Sequence, residues 1–399
     1  VGWLTAAVGA YILSAWVVFS GVLIAQNNFI SDQSHYRPPE QQTQSFLQFQ
    51  DGNWYYEIIT LGYSYSPGRR SNIAFFPLYP LVAGGLARAT GLPVLTSLAL
   101  VSNAALVAAY ALFVAYARRR TDDPQVIGGA LAAFALFPPT FFFRMAYAES
   151  LFLVCGIGVL LVIQRRGPIL AAALLTAAAG ATRSVGLAFA LPVAMYAWEE
   201  CRARGASRLA AAWRTLAALA MSGAGLAAFM LYQLVALGDP LAFVRVQEAW
   251  VYAPPVSLLG RLWASFTLWP IWGVYDPQSP TYWQNISRSA DPVFNLPFAN
   301  PLYFLLIVAL VGVGWRRKWL DRYDLAASAG LLAIPYFTRG YDIGMNSHAR
   351  YAAVAFPAYL VAGHLFPQMP AGWGGALLGV CGWFPGMYAA LYSIGYPLF

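Results

Sequence analysis

Asp51 is the side chain in this sequence best placed to do chemistry. It stands in the stretch Phe49-Gln50-Asp51-Gly52-Asn53-Trp54-Tyr55-Tyr56-Glu57-Ile58, and Ala74-Phe75-Phe76-Pro77-Leu78-Tyr79-Pro80 follows. A carboxylate is thus set among aromatic rings just after the first apolar run. Trp54, Tyr55 and Ile58 fall at i+3, i+4 and i+7 from Asp51, one stripe of a helix. Such a helix would lie at the membrane surface with Asp51 at the water boundary. Two tasks fit the acid: general base for an acceptor hydroxyl, or a plain cap on the helix N-terminus.

Three further groups carry charge inside apolar sequence. Arg144 and Glu149 flank a turn in Phe143-Arg144-Met145-Ala146-Tyr147-Ala148-Glu149-Ser150. They suit either a phosphate and a sugar hydroxyl or a salt bridge between two spans. Arg183 interrupts a run of Ala, Leu and Val; it suits a lipid phosphate or snorkels to the interface. Asn346-Ser347-His348-Ala349-Arg350-Tyr351 offers Arg350 as a phosphate ligand, with His348 either touching substrate or hydrogen-bonded within its loop. Gly340-Tyr341-Asp342 belongs to the same rim. His35 and His364 have no readable partners, and no spacing resembles a zinc site. Asp51 and Glu57 are the one carboxylate pair that suggests a shared divalent ion. No Gly-rich phosphate loop is present. Trp250, Tyr252, Trp263, Trp269, Trp272, Tyr282 and Trp283 form an aromatic segment, read as an interfacial belt or as a platform for sugar rings or a prenyl chain.

The elements that must position these groups are membrane helices. Of 399 residues, 59% are hydrophobic and 10% charged, against about 25% charged in a soluble domain. Apolar runs long enough to cross about 30 Å of hydrocarbon recur along the chain. The net charge of +8 comes from short basic groups between spans, the positive-inside pattern, and does not point to nucleic acid. The basic groups are Arg118-Arg119-Arg120, Arg165-Arg166, Arg202 with Arg204 and Arg208, and Arg316-Arg317-Lys318. Placing all four in the cytoplasm makes residues 74–117 cross once, with a juxtamembrane helix at 74–90 and a span from about 93. Spans are expected at 1–25, 93–117, 125–143, 148–164, 168–182, 184–199, 209–236, 298–315, 324–338, 350–367 and 371–394. That makes about eleven, with the first end inside and the last outside. Residues 26–92 form a first extracytoplasmic loop, which includes Asp32 and the polar Arg37-Pro38-Pro39-Glu40, and 237–297 a second. The first apolar run does not read as a cleaved signal peptide. Three cysteines make no disulfide framework, and Asn285-Ile286-Ser287 fits a glycosylation tripeptide. The whole chain is read as one integral membrane domain.

The Asp51-Gly52-Asn53-Trp54-Tyr55, Gly62-Tyr63 and Ala74-to-Pro80 blocks resemble the PIG-V family of mannosyltransferases. The likeness continues, in order, through Tyr147-Ala148-Glu149-Ser150, Arg183-Ser184-Val185-Gly186-Leu187, Gly238-Asp239-Pro240-Leu241-Ala242-Phe243 and Arg350-Tyr351. It implies an all-α GT-C fold and a site on the extracytoplasmic face. The implied donor is a polyprenyl-phosphate sugar, commonly mannose; the acceptor is a lipid or glycan. The family is taken to invert the sugar, with the first-loop acid as base, the position Asp51 holds. Gln50 stands where many relatives carry Trp, and Ala148 replaces a commoner Thr. On this reading Arg350, Arg183 and Arg144 bind the donor phosphate. Trp54, Tyr55, Glu57, Phe76, Tyr79, Tyr147, Glu149, His348 and Tyr351 contact substrate, no cofactor is needed, and the setting is a bacterial plasma membrane. The rival is a transporter or flippase of polyprenyl-linked sugars, for which no pseudo-repeat is visible.

Overall fold

The computed structural model describes residues 2–28, 50–254, 256–286, 291–396 and 398. Asp32, His35, Arg37-Pro38-Pro39-Glu40, Phe49 and Ser287 of the glycosylation tripeptide lie outside the described residues. Among the described residues every regular element is helical. The chain opens with α1 (Trp3–Asn28), then α2 (Asp51–Leu61), α3 (Leu78–Thr90), α4 (Val94–Ala117) and α5 (Pro124–Leu136). There follow α6 (Glu149–Gln164), α7 (Ile169–Thr182), α8 (Ala190–Ala203), α9 (Arg208–Ser222) and α10 (Ala224–Leu237). Three short helices come next: α11 (Ala242–Arg245), α12 (Leu258–Phe266) and α13 (Trp269–Trp272). The last are α14 (Leu296–Arg316), α15 (Arg322–Arg339), α16 (His348–Ala353), α17 (Pro357–Leu365) and α18 (Trp373–Ser393).

Four of these, α1, α4, α14 and α18, are long and apolar enough to cross a membrane, and two bent pairs raise the number to six. Each segment expected to span contains helix, but several are interrupted. The 125–143 segment bends by 73° between α5 and a 3-10 turn, Pro138–Arg144. Pro138 and Pro139 supply no N–H there, so an α ladder cannot continue. The 184–199 segment starts as a 3-10 turn, Ser184–Phe189, before α8. The 350–367 segment divides at Pro357 into α16 and α17. The separate helix expected before the span from 93 is present: α3 ends on Gly91, whose φ of 72° is the left-handed close that glycine permits, and Pro93 precedes α4.

Packing is carried by small residues and rings. A Cβ on Gly21 of α1 would lie 2.0 Å from the carbonyl oxygen of Gly386 in α18, so these two backbones touch, as small residues allow in membranes. Phe134 gathers Tyr110, Phe113 and Tyr359 at centroid distances of 5.1, 5.0 and 4.9 Å. On the outside, α1 turns Ile12, Trp16 and Leu23 away from the bundle, an apolar face suited to acyl chains.

The basic groups collect at one end. Arg120 pairs with Asp321 and Asp324 at 2.7 Å each, and Arg119 donates to the Gln164 carbonyl. Arg166 reaches Glu200 at 3.6 Å and Arg322 reaches Glu199 at 2.5 Å. Glu149 and Arg339 stand at the far ends of α6 and α15, about 24 and 27 Å away at 1.5 Å per residue. The bundle therefore has a basic end and, a membrane's thickness away, the end that holds Asp51.

Candidate active site

Asp51 is the first residue of α2, not its cap. Gln50 before it has φ 57°, a strained left-handed value for a residue other than glycine. With its amide turned to satisfy both partners, the Gln50 side chain donates to the Leu398 carbonyl (3.1 Å) and accepts from the Leu398 N–H (3.2 Å). The expected capping bond is absent. The Asp51 carboxylate instead accepts from Arg350, Nη1 to Oδ2 at 2.5 Å, while its own backbone N–H donates to Tyr147 Oη at 3.3 Å.

Arg350 belongs to a row of alternating charges. Its Nε lies 3.5 Å from Glu149 Oε1, and the same oxygen accepts from Arg183. The sequence Asp51, Arg350, Glu149, Arg183 thus carries two negative and two positive charges. Glu149, the first residue of α6, has a side chain only 3% exposed, whereas that of Asp51 is 24% exposed. Rings wall the cations in: Arg350 faces Phe142, Tyr147 and Tyr351 at 5.4, 5.2 and 5.6 Å, and Arg183 faces Tyr351 at 5.3 Å. Four regions that are remote in sequence converge here because α2, α6, the turn after α7 and α16 end together.

Beside this row opens a cavity of about 720 Å³. Asp51, Glu149 and Glu248 line it with Arg70, Arg183, Arg261, Arg339 and Arg350, so cations outnumber anions. One wall is aromatic: Trp54, Phe75 and Trp250 stand 5.3 to 6.0 Å from one another, and Phe76, Tyr252 and Tyr351 also reach the space. Such a shelf can stack against the apolar face of a sugar. The second long segment is fastened over it by Asp342, whose Oδ1 accepts from the N–H groups of Tyr252, Ala253 and Ile343. Burial raises the pKa of Asp342 even so.

Of the residues singled out in the sequence, Asp51, Trp54, Tyr55, Phe76, Glu149, Arg183, Arg350 and Tyr351 line the cavity. Tyr147 lies immediately behind Arg350. The others are placed elsewhere. Arg144 is buried between α1 and α4, donating to the Tyr11 carbonyl, Ser14 Oγ (2.5 Å) and Asn103 Oδ1 (3.3 Å). It ties helices together and does not reach the cavity. His348 is fully buried, with its ring nitrogens 3.0 to 3.2 Å from the carbonyls of Met345, Asn346 and Pro335. Tyr79 is buried as well, bonded to the Leu98 carbonyl and Ser102. Glu57 is half-buried on α2 and not on the cavity wall. Among the described residues no group of three or more His, Cys, Asp or Glu side chains is set to hold a metal ion.

Two cavity residues carry little sequence signal. Arg70 is one of a pair of arginines in a polar loop, and Arg339 reads only as the charged end of a span. No protein-family model and no curated protein matches this chain.

The placement of Arg144 gives a first expected result. Arg144→Met removes three buried hydrogen bonds to a charged donor and is expected to destabilise the protein by about 2–4 kcal/mol. Thermal unfolding in detergent reads this, and ligand affinity of the surviving folded fraction should stay unchanged. A wild-type melting temperature with weakened ligand binding would return Arg144 to the site.

Proposed function

We propose that this chain is a multi-pass membrane glycosyltransferase of the PIG-V type with a GT-C fold. It transfers a hexose, mannose first among candidates, from a polyprenyl-phosphate donor to a lipid or glycan acceptor. The observation that carries the reading is a partly exposed carboxylate, Asp51, held by Arg350 at the wall of a cavity with an aromatic shelf and surplus guanidiniums. A base, a sugar platform and an anion-binding wall are the parts that this reaction needs. The ordered motif blocks running from Asp51 to Arg350-Tyr351 support it further.

In the proposed reaction the acceptor hydroxyl attacks the anomeric carbon as Asp51 takes its proton. The bond from that carbon to the phosphate oxygen breaks, and the phosphate leaves with the electron pair. Attack from the face opposite the phosphate inverts the anomeric centre. The guanidiniums offset the charge that gathers on the leaving group, and since that group is already a stable anion the step calls for no cofactor. The basic end of the bundle, by the positive-inside pattern, is cytoplasmic. The cavity then opens on the extracytoplasmic face of a bacterial plasma membrane. The eleven-span topology belongs to this proposal, with the interrupted helices paired into crossings.

Purified protein incubated with radiolabelled polyprenyl-phosphate mannose and a panel of lipid and glycan acceptors is expected to yield a labelled, chain-released product. Movement of the intact labelled lipid across a vesicle bilayer, with no transfer to any acceptor, would favour a flippase instead.

A further inference from the structure

The four-membered charge row leaves a question about where the donor's phosphate rests. Arg350 and Arg183 are already matched by Asp51 and Glu149. A phosphate on Arg350 would also sit beside the base. In-line inversion instead sets the groups acting on the two faces of the sugar roughly 6.5–9.5 Å apart, as in inverting glycosidases. The anion belongs farther along the cavity.

A second cationic centre lies there. Arg339 donates from Nη1 to Gln247 Oε1 (2.7 Å) and from Nη2 to the Trp250 carbonyl (3.3 Å). Arg70 donates from Nε to the preceding carbonyl, Ala249 (3.1 Å), with its guanidinium 5.3 Å from the Trp250 ring and 4.5 Å from that of Tyr252. Neither has a carboxylate in ion-pair contact among the described residues. Asp342, close enough to act on Arg339, keeps its Oδ1 for three backbone N–H groups. Two donors at this centre, Arg339 Nε and Trp250 Nε1, are buried with no hydrogen-bond acceptor, as is Arg350 Nε beside Glu149, while Asp342 Oδ2 is a buried acceptor with no donor. Buried N–H groups are nearly always paired, so unsatisfied donors beside the exposed Arg70 and the half-buried Arg339, whose neighbouring acid Asp342 is held through Oδ1 by the backbone, mark a place for an anion. Aromatic rings join this centre to the base: Trp54 stands one helical turn from Asp51, its ring 5.3 Å from Trp250, and the Arg70 guanidinium is 5.3 Å from that same Trp250 ring. Asp51 and these cations therefore line one cavity and are linked through the Trp54–Trp250 ring pair.

We propose that Arg339 and Arg70, with the Trp250 indole N–H, bind the phosphate ester of the prenyl-linked donor, and that Arg350 positions Asp51. This assignment of the anion rests on the transferase reading, but its test does not need turnover. The full chain in lipid nanodiscs is titrated with radiolabelled decaprenyl phosphate and, separately, with decaprenol, which lacks the phosphate. Arg339→Met and Arg70→Met are each expected to weaken decaprenyl phosphate at least tenfold and to leave decaprenol within about threefold, as loss of a charged hydrogen bond implies. Trp250→Phe, which removes the donor and keeps a ring, is expected to cost about threefold. Arg339→Lys should restore most of the binding, since the charge is kept. Gln247→Ala removes a bond to Arg339 and leaves the cation, so it should bind decaprenyl phosphate as wild type does.

The proposal is overturned if Arg339→Met and Arg70→Met bind decaprenyl phosphate normally. It is equally overturned if they lose both lipids alike, or if Gln247→Ala loses as much as Arg339→Met, because either result makes the effect structural. Inorganic phosphate competing as well as decaprenyl phosphate would also overturn it, since the ester would then contribute nothing. Failure of transfer with every acceptor, alongside intact charge-dependent binding, would instead remove the transferase reading and keep the anion site.

Discussion

Asp51→Asn is expected to fold, to bind donor as well as wild type or better, and to lower kcat for sugar transfer by about 10²–10⁴-fold, the range of general-base contributions. The amide keeps the shape of the carboxylate and an oxygen that can still accept from Arg350, which at 2.5 Å is the side chain's ion-pair partner. What it loses is the capacity to take a proton. With the negative charge gone, the row of Asp51, Arg350, Glu149 and Arg183 changes from neutral to singly positive, so an anionic donor is repelled less. The expected signature is therefore a fall in kcat with KM unchanged or lowered, a loss confined to the transition state. The pair is largely buried, its side chains 24% and 11% exposed, but the amide oxygen can still accept from Arg350, so the expected cost is on the order of 1–3 kcal/mol and the protein stays folded. Transfer kept within about threefold of wild type would remove Asp51 as the base, whatever the cavity binds.

The helices were readable because their signal is local. Runs of Ala, Leu and Val mark α1, α4, α14 and α18, and Gly91-Leu92-Pro93 marks the break between α3 and α4. The interruptions at Pro138-Pro139 and Pro357 were equally present in the sequence, but hydropathy counts a proline in an apolar run as part of that run. The charged residues show the harder limit. Arg144 and Arg183 look alike in sequence, each a lone arginine at the end of an apolar segment. They part company only through distant neighbours: Tyr11, Ser14 and Asn103 enclose the first, and Glu149 and Tyr351 hold the second at the cavity. Asp51 and Arg350 are 299 positions apart, so residue type could nominate both and could not pair them. Asp51 misses the capping position by one residue, because Gln50, at positive φ, occupies it and the helix begins one residue earlier than a cap at Asp51 would place it. Arg70 had no local signal at all; its place over Trp250 depends on how the second long segment folds back across α2.

Glu149→Leu tests whether the charge row is one unit. The side chain is 3% exposed and lies between two guanidiniums. Removing it leaves Arg183 and Arg350 facing one another, with the one remaining carboxylate, Asp51, at the end of the row on the far side of Arg350. Breaking a buried pair by deleting one partner costs about 3–5 kcal/mol, because the surviving charge stays desolvated. Glu149→Leu is accordingly expected to be among the most destabilising single changes in the protein, and to lower transfer by more than tenfold as Arg350 shifts against Asp51. Deleting a cation along with the anion should give part of this back. Glu149→Leu with Arg183→Met is expected to be more stable than the sum of the two single changes predicts by about 1–3 kcal/mol, the coupling of residues within one network. Transfer need not recover with it, since the double variant restores charge balance without restoring the oxygen that orients Arg350. Stability and turnover should therefore separate: the first follows the net charge of the row, the second follows the position of Arg350. Strict additivity of the two single changes in stability would mean that Glu149 and Arg183 are not coupled, and the row would then not act as one unit.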